Sequence, residues 1–310
     1  MNNKILYYGF GGGLGHITRF RAFCHTLNIK PILMTALKDV AAGKLETPAE
    51  DVLLLPENCV SNKNNFRNWF HEKLANVQPE RILIDAFPGG ILGELCDFPE
   101  LNELKIEYIS RILNLKAYEK RLNGNLPRIS KIWQVEQLGD EQLVWQKTLA
   151  AVNNAEIERL DLEYPSSDAD AHIELPYHCW LIVHSGSAEE LFELWEYAND
   201  TALLEGAHPS FAVVGQCARP EFLPPEVPYY SVYPVTSLLE KAEKVVSAAG
   251  FNIMRQMRNM KEKHLVLPFK RALDEQGQRL LLYQQVFTPE GLSCSSSHSV
   301  VHYIHLKQKG

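Results

Sequence analysis

The chain has 310 residues, of which 45% are apolar and 22% charged, with a formal net charge of −7. That length suits two domains better than one, since single cores stop growing near about 250–300 residues. The acidic balance speaks against nucleic acid as a main partner, because phosphate binding needs a basic face, and no apolar run approaches the roughly 20 residues that span a bilayer.

The first residues lack the long apolar core and small-residue cleavage site of a signal peptide. Cys24, Cys59, Cys96, Cys179, Cys217 and Cys294 form no Cys-x-x-Cys pair. Neither a zinc site nor a disulfide framework is expected, and a reducing cytoplasm is the default compartment.

In chain order, "KILYYG" is a short apolar run bounded by glycine, the pattern of a buried parallel strand. Ile17, Phe20, Phe23 and Leu27 follow at spacings of three and four, an amphipathic helix. "KPILMTA" and "DVLLLP" read as strands, "FRNWFHEKLANV" as a helix, and "RILIDAF" and "KIEYISRIL" as strands. A helix is expected from about Asp140 to Glu163. The polar, proline-bracketed "YPSSDADAHIELPYH" reads as a linker.

The pattern then restarts. "CWLIVHSG", "SFAVVG", "KVVSAAG" and "KHLVLPF" are strands. "AEELFELWEYAND", "VTSLLEKA", "NIMRQMRNM" and "DEQGQRLLLYQQV" are helices between and after them. Two βα series predict an α/β protein of two facing, Rossmann-like, doubly wound domains, residues 1–164 and 176–310, with an interdomain cleft. In such domains ligands bind beyond the carboxyl ends of the strands. Gly9 to Gly15, "HSGS" at 184 to 187 and "SAAGFN" at 247 to 252 all fall there.

A dinucleotide loop is disfavoured. G-x-G-x-x-G fails, because Leu14 or His16 stands at the third glycine position. The looser G-x-x-x-G-x-G is met by Gly9, Gly13 and Gly15. Its companion Tyr-x-x-x-Lys occurs only as Tyr303 with Lys307, at the tail.

"GGGLGH" followed by "ITR" resembles the opening of GT-B sugar-nucleotide transferases. "VYPVTSLLEKAEKVVSAAGFNIMRQMRNMKEKHLVLPFKRALDEQGQRL" resembles their donor-binding region, nearest in pattern to the peptidoglycan-precursor N-acetylglucosaminyltransferase group. The resemblance covers roughly residues 4 to 30 and 176 to 285. It implies inverting transfer of a sugar from a nucleoside-diphosphate sugar, with UDP as the expected nucleotide, to an acceptor hydroxyl. No cofactor and no metal are implied.

Carried over by position, Tyr233 falls where the family's backbone reads the base. Gly250, Phe251 and Asn252 match the turn under the diphosphate. Gln256 stands where a ribose-binding glutamate is usual, and Asp274, Glu275 and Gln276 match the motif that contacts the donor sugar. The family's second glutamine is replaced by Gly277. Gly186 and Ser187 open another helix suited to a diphosphate. Glu189 and Glu190 in its first turn repel an anion, which favours the Gly250 loop. Gly12 and Gly13, in the first loop, let the backbone approach donor or acceptor.

His16 is the candidate general base, since imidazole titrates near 6.5. Asp85 at a strand exit either orients it or contacts the acceptor. The rival roles are a helix cap or phosphate contact for His16 and a turn acceptor for Asp85.

Asp168-Ala169-Asp170 matches the metal-binding Asp-x-Asp literally, but in a polar linker it reads as solvated. Met254, Met257 and Met260 read as core packing. His298, His302 and His305 lack companion carboxylates and imply no metal. Residues 105 to 131 carry seven Lys or Arg against two Glu. They read either as a solvated face or as a contact for a phosphorylated or membrane-borne acceptor, held peripherally. Two alternatives stand beside transfer: epimerisation or hydrolysis of a sugar nucleotide, and binding without turnover.

Overall fold

The computed structural model describes residues 4–11, 13–43, 45, 47–167 and 169–285. It separates into two compact units. One runs to Pro165 and takes in the later segment Ala272–Glu275; the other runs from Ser166 to Arg271 and resumes at Gln276.

The first unit is built on a parallel sheet of β1 (Ile5–Tyr8), β2 (Ile32–Thr35), β3 (Val52–Leu54), β4 (Arg81–Asp85), β5 (Lys105–Ser110), β6 (Ile129–Gln134) and β7 (Glu156–Arg159), in the order β3-β2-β1-β4-β5-β6-β7. Its central strands are short apolar runs covered on both faces, as parallel strands require. Leu6, Tyr7 and Tyr8 of β1 and Ile82, Leu83 and Ile84 of β4 are essentially inaccessible. The connecting helices are α1 (Gly15–Leu27), α2 (Lys38–Ala41), α3 (Glu57–Val60), α4 (Lys63–Val77), α5 (Leu115–Glu119) and α6 (Asp140–Asn153).

Helix α1 buries Ile17, Phe20 and Phe23, and the Phe20 ring meets Tyr7 edge-on at 4.8 Å. It ends at Asn28 in the left-handed conformation (φ 50°). Asn tolerates that region because its short polar side chain bonds locally.

The second unit has a parallel sheet of β8 (Cys179–His184), β9 (Ser210–Gly215), β10 (Tyr229–Tyr230), β11 (Lys244–Ala248) and β12 (His264–Leu267), ordered β10-β9-β8-β11-β12. Its helices are α7 (Ala188–Glu205), α8 (Thr236–Lys241), α9 (Phe251–Gln256) and α10 (Gln276–Gln285). Met254 and Met257 are core residues and Met260 packs against the core, as their spacing suggests.

Three sequence expectations need correction. The helix expected to Glu163 stops at Asn153, because Asn154 adopts φ 52° and its N–H closes on Ala150 and Ala151; the next residues form edge strand β7. Strand β6 went unseen because Lys131 interrupts its apolar pattern; that side chain lies over the Trp133 ring at 3.9 Å and pairs with Glu158 at 2.5 Å. From Ser166 on, the stretch read as a linker belongs to the second unit, where Ile173 and Leu175 pack on its core.

In each sheet the chain winds first to one side and then to the other. The reversals fall between β1 and β4, and between β8 and β11. These are the topological switch points at which open α/β sheets bind ligands.

Candidate functional site

At the first switch point, His16 sits in the opening turn of α1 and Asp85 is the last residue of β4. His16 Nδ1 lies 2.6 Å from Asp85 Oδ2. Arg19, one helical turn along from His16 on the same face, donates from Nε to Oδ1 at 2.5 Å and from Nη2 to Oδ2 at 2.8 Å. Burial alone would raise the Asp85 carboxyl, but the Arg19 charge and His16 outweigh it and hold the group well below the usual carboxylate range. Burial also pushes His16 below its ordinary 6.5, over the opposing pull of Asp85. Asp85 stays ionised, His16 stays neutral, and Nδ1–H donates to the carboxylate. The Nε2 lone pair is then the basic one.

The glycine loop makes room for this ring. A Cβ on Gly11 would stand 1.9 Å from His16 Cδ2 and Nε2, whereas one on Gly13 would meet nothing within 4 Å. Gly12 lies outside the described residues.

Arg111, at the exit of β5, joins the cluster. Its guanidinium is 5.8 Å from the Phe87 ring, which is 6.2 Å from the His16 ring. Its Nη1 donates to Ile112 O and, at 2.6 Å, to Asp274 Oδ1. Asp274, expected to contact a donor sugar, is therefore ion-paired within the first unit, while Leu273 packs among Phe87, Leu113 and Tyr118. Glu275 is half-buried in the same segment.

A cavity of about 430 Å³ opens beside Gly11. Phe10, Leu55, Val60, Phe66, Ile91 and Leu92 wall it, together with Lys63 and Glu94.

In the second unit, the two glycine exits differ in what they enclose. Gly186 has no room for a Cβ, since Glu190 Oε2 and His184 Nε2 would each lie 2.4 Å away. Glu190 binds His184 at 2.8 Å and is gripped on both oxygens by Arg271, which chiefly holds its carboxyl below the usual range. Ser187 caps α7, accepting the Glu190 N–H. The protein's own carboxylate thus occupies this loop.

The Gly250 exit is open instead: the nearest atom to a Cβ there is Ile253 Cγ2 at 3.9 Å. Arg279 fixes it from behind by donating to Ala249 O at 3.0 Å. Phe251 turns into the core, and Asn252 is half-buried. Gln256 Nε2 lies 3.4 Å from Asn252 O. Tyr233 is half-buried beyond β10. Gln276 points inward, its Oε1 accepting the Phe269 N–H at 2.9 Å.

No protein-family model matches the chain, and neither does any curated protein sequence. Solved structures do. The glycosyltransferase of kitacinnamycin aligns with a TM-score of 0.60 at 13% identity, over 91% of this chain and 84% of its own. Spinosyn rhamnosyltransferase SpnG, complexed with thymidine diphosphate, aligns at 0.55 and 12%, over 91% and 90%. A UDP-N-acetylglucosamine 2-epimerase from Rickettsia bellii aligns at 0.56 and 11%, over 92% and 87%. The fold is that of GT-B proteins.

Elsewhere in this GT-B fold, contacts decide one further sequence reading. Asp170 is not a solvated loop residue. It is wholly buried, and its Oδ2 accepts the Leu238 N–H at 2.9 Å in the first turn of α8. Asp168 lies outside the described residues, as do His298, His302, His305 and the tail. Among the described residues no group of three His, Cys, Asp or Glu is placed to hold a metal, and no helix is long and apolar enough to cross a membrane. In the basic run at 105 to 131, three of the seven cations are ion-paired: Arg111 with Asp274, Lys116 with Glu141, and Lys131 with Glu156 and Glu158.

Arg19, Glu94, Arg111 and Arg271 went unassigned in the sequence. Only Arg19 carried a usable signal there, its i, i+3 spacing from His16.

Proposed function

We propose that this chain transfers a sugar from a nucleoside-diphosphate sugar to an acceptor hydroxyl. The single observation that supports it most is a neutral, carboxylate-oriented His16 at the switch point of the first sheet. Its Nε2 would take the proton of the acceptor hydroxyl. The freed oxygen pair attacks the anomeric carbon, the bond from that carbon to the diphosphate oxygen breaks, and the nucleoside diphosphate departs with that electron pair. One displacement inverts the anomeric centre. Asp85 stabilises the imidazolium that forms, and Arg19 keeps Asp85 ionised and in place.

Donor recognition is assigned to the second unit, as the motif resemblance to the peptidoglycan-precursor group implies. The open Gly250 exit brings the amides of Phe251 and Asn252 to the diphosphate, Gln256 meets the ribose, and Tyr233 lies by the base. The Gly186 and Ser187 loop takes a lesser part, because Glu190 fills it. Asp274 acts through Arg111 rather than on the donor directly. UDP is the preferred nucleotide, and helix N-termini with backbone amides, rather than a metal, stabilise the leaving charge. The five described cysteines are all free, which agrees with a cytoplasmic setting.

The test is to incubate UDP-, TDP-, GDP- and ADP-sugars with and without hydroxylated acceptors and follow nucleotide release. Release only with acceptor supports transfer. Release or isomerisation of the sugar nucleotide without acceptor would replace it with hydrolysis or epimerisation, and binding without turnover would leave a recognition protein.

A further inference from the structure

The connection that leaves β4 ends on a second buried carboxylate, which the transfer chemistry leaves unused. Glu94 is 5% exposed. Its Oε1 accepts the Tyr8 hydroxyl and, at 3.2 Å, the Ile91 N–H, while Oε2 accepts the Leu92 N–H at 2.7 Å. The backbone is shaped around it. Gly90 adopts φ +82°, and a Cβ there would lie 2.3 Å from Glu94 Cδ. Tyr118 pins the turn, accepting the Gly89 N–H at 2.8 Å and donating to Gly90 O at 3.1 Å.

A carboxylate offers about four lone-pair sites. Among the described residues three donors reach this one, two on Oε1 and one on Oε2. Oε2 keeps one acceptor position, and Glu94 lines the 430 Å³ cavity beside Gly11. That volume lies within the range of small-molecule pockets, roughly 300–1,000 Å³. The walls are otherwise mostly apolar, and Val60 and Leu92 stand partly exposed. A bare sugar would lose its hydration there without replacement partners. Glu94 disfavours an anion, and Lys63 in the same lining disfavours an ammonium.

We propose that this cavity binds an uncharged, apolar ring compound that donates a hydroxyl to Glu94 Oε2. Such compounds form the acceptor class of the transfer reaction, a clause that rests on the transferase reading. The binding itself does not rest on it. Gly11 borders both the cavity and the His16 ring.

The probes are 2-naphthol, naphthalene, 2-naphthoate and 1-(aminomethyl)naphthalene, titrated by equilibrium dialysis into the full chain at pH 7.5. No sugar nucleotide is present. 2-Naphthol is expected to bind about tenfold more tightly than naphthalene, the scale of a hydrogen bond to a charged group, and more tightly than either charged probe. Glu94→Gln should reduce the naphthol preference to about twofold or less, whereas a merely structural Glu94 would leave that preference intact and only lower Tm. Should Glu94→Gln fail to fold, Val60→Trp at the exposed mouth tests the site independently, by weakening all four probes in a folded protein. Equal binding of naphthol and naphthalene, a preference untouched by Glu94→Gln, or unchanged binding in Val60→Trp overturns the proposal. Loss of nucleotide-dependent transfer with naphthol binding intact would count against the transferase reading alone.

Discussion

Asp85 receives the His16 imidazole at 2.6 Å on the oxygen that it also shares with Arg19 Nη2, at 2.8 Å. The arginine and histidine are thus tied to one carboxylate, and neither can be altered without changing the other's surroundings. Buried ion pairs lose about 3–5 kcal/mol when one partner is removed, because the other charge is left unmatched. Asp85→Asn should therefore lower thermal stability as well as rate, by stranding Arg19.

His16→Ala separates the two effects, since it leaves the Arg19–Asp85 pair standing. It should lower kcat about a hundredfold or more, the usual contribution of positioned acid–base catalysis, with little change in nucleoside-diphosphate affinity. The acidic limb of the rate profile should vanish with it. That limb lies below 6.5 in the native protein, since burial lowers His16 and only the neutral ring accepts a proton. A variant with weakened donor binding but an unchanged kcat and pH profile would make His16 a phosphate contact.

Gly11→Ala is expected to act on the same ring without touching its chemistry. The added methyl would sit 1.9 Å from the imidazole, so His16 must swing off Asp85. Activity should fall nearly as far as in His16→Ala, whereas Gly13→Ala, with open space around its Cβ, should keep most of it. Steady-state kinetics of the two variants decide the point.

The donor loop admits an equally simple test. Gly250→Ala costs the fold no contact, the nearest atom being 3.9 Å away, so Tm should hold. UDP binding, read by calorimetry, should weaken about tenfold or more if the backbone there cradles the diphosphate. Unchanged affinity would move the diphosphate elsewhere in the second unit.

Much of this arrangement was legible in the sequence, and the rest was not for identifiable reasons. Parallel strands buried on both faces announce themselves as apolar runs, as at Leu6 to Tyr8 and Ile82 to Ile84. The turn from β1 into α1 declares its glycines and its histidine. Arg111 and Glu94 were invisible, because their side-chain partners Asp274 and Tyr8 stand 163 and 86 positions away. At Gly186 the sequence did not show that Glu190 and His184 crowd the glycine, because a loop that encloses a protein carboxylate has the same local pattern as one open to a phosphate.

Asp170 provides the contrast to the metal reading of its motif. Asp170→Ala should destabilise the protein by roughly 1–2 kcal/mol, the scale of a lost helix cap, with Tm lowered accordingly. Turnover per folded molecule should be unaffected by that change or by EDTA. Loss of activity in EDTA, restored by manganese, would reinstate the metal.

Acid sensitivity should follow from the second unit's core. His264 is buried on Ser247, with Oγ 2.8 Å from Nε2, and burial lowers it to about 3. The unfolded chain takes up this proton first, near 6.5. The contribution of neutral His264 is thus complete above that pH and is lost as pH falls from 6.5 toward 3, at about 1.4 kcal/mol per unit. His16 and His184, both lowered by burial, act in the same direction. Urea midpoints measured at pH 7 and pH 5 should drop less in His264→Gln than in the native protein; identical drops would refute the assignment.

The left-handed residues that end the helices have a wider meaning. Asn28, Gln78, Asn154 and Gly206 close α1, α4, α6 and α7. In a parallel βα succession those ends feed the strands at their amino termini, opposite His16 and Asp85 in the first unit and, in the second unit taken by itself, opposite Gly250. Thermostability can therefore be adjusted at the strand-entry side of each unit, for instance by relaxing Gln78 to glycine in the first, while the strand exits of that unit keep their geometry. Wear and repair of the scaffold are thereby insulated from the chemistry it carries.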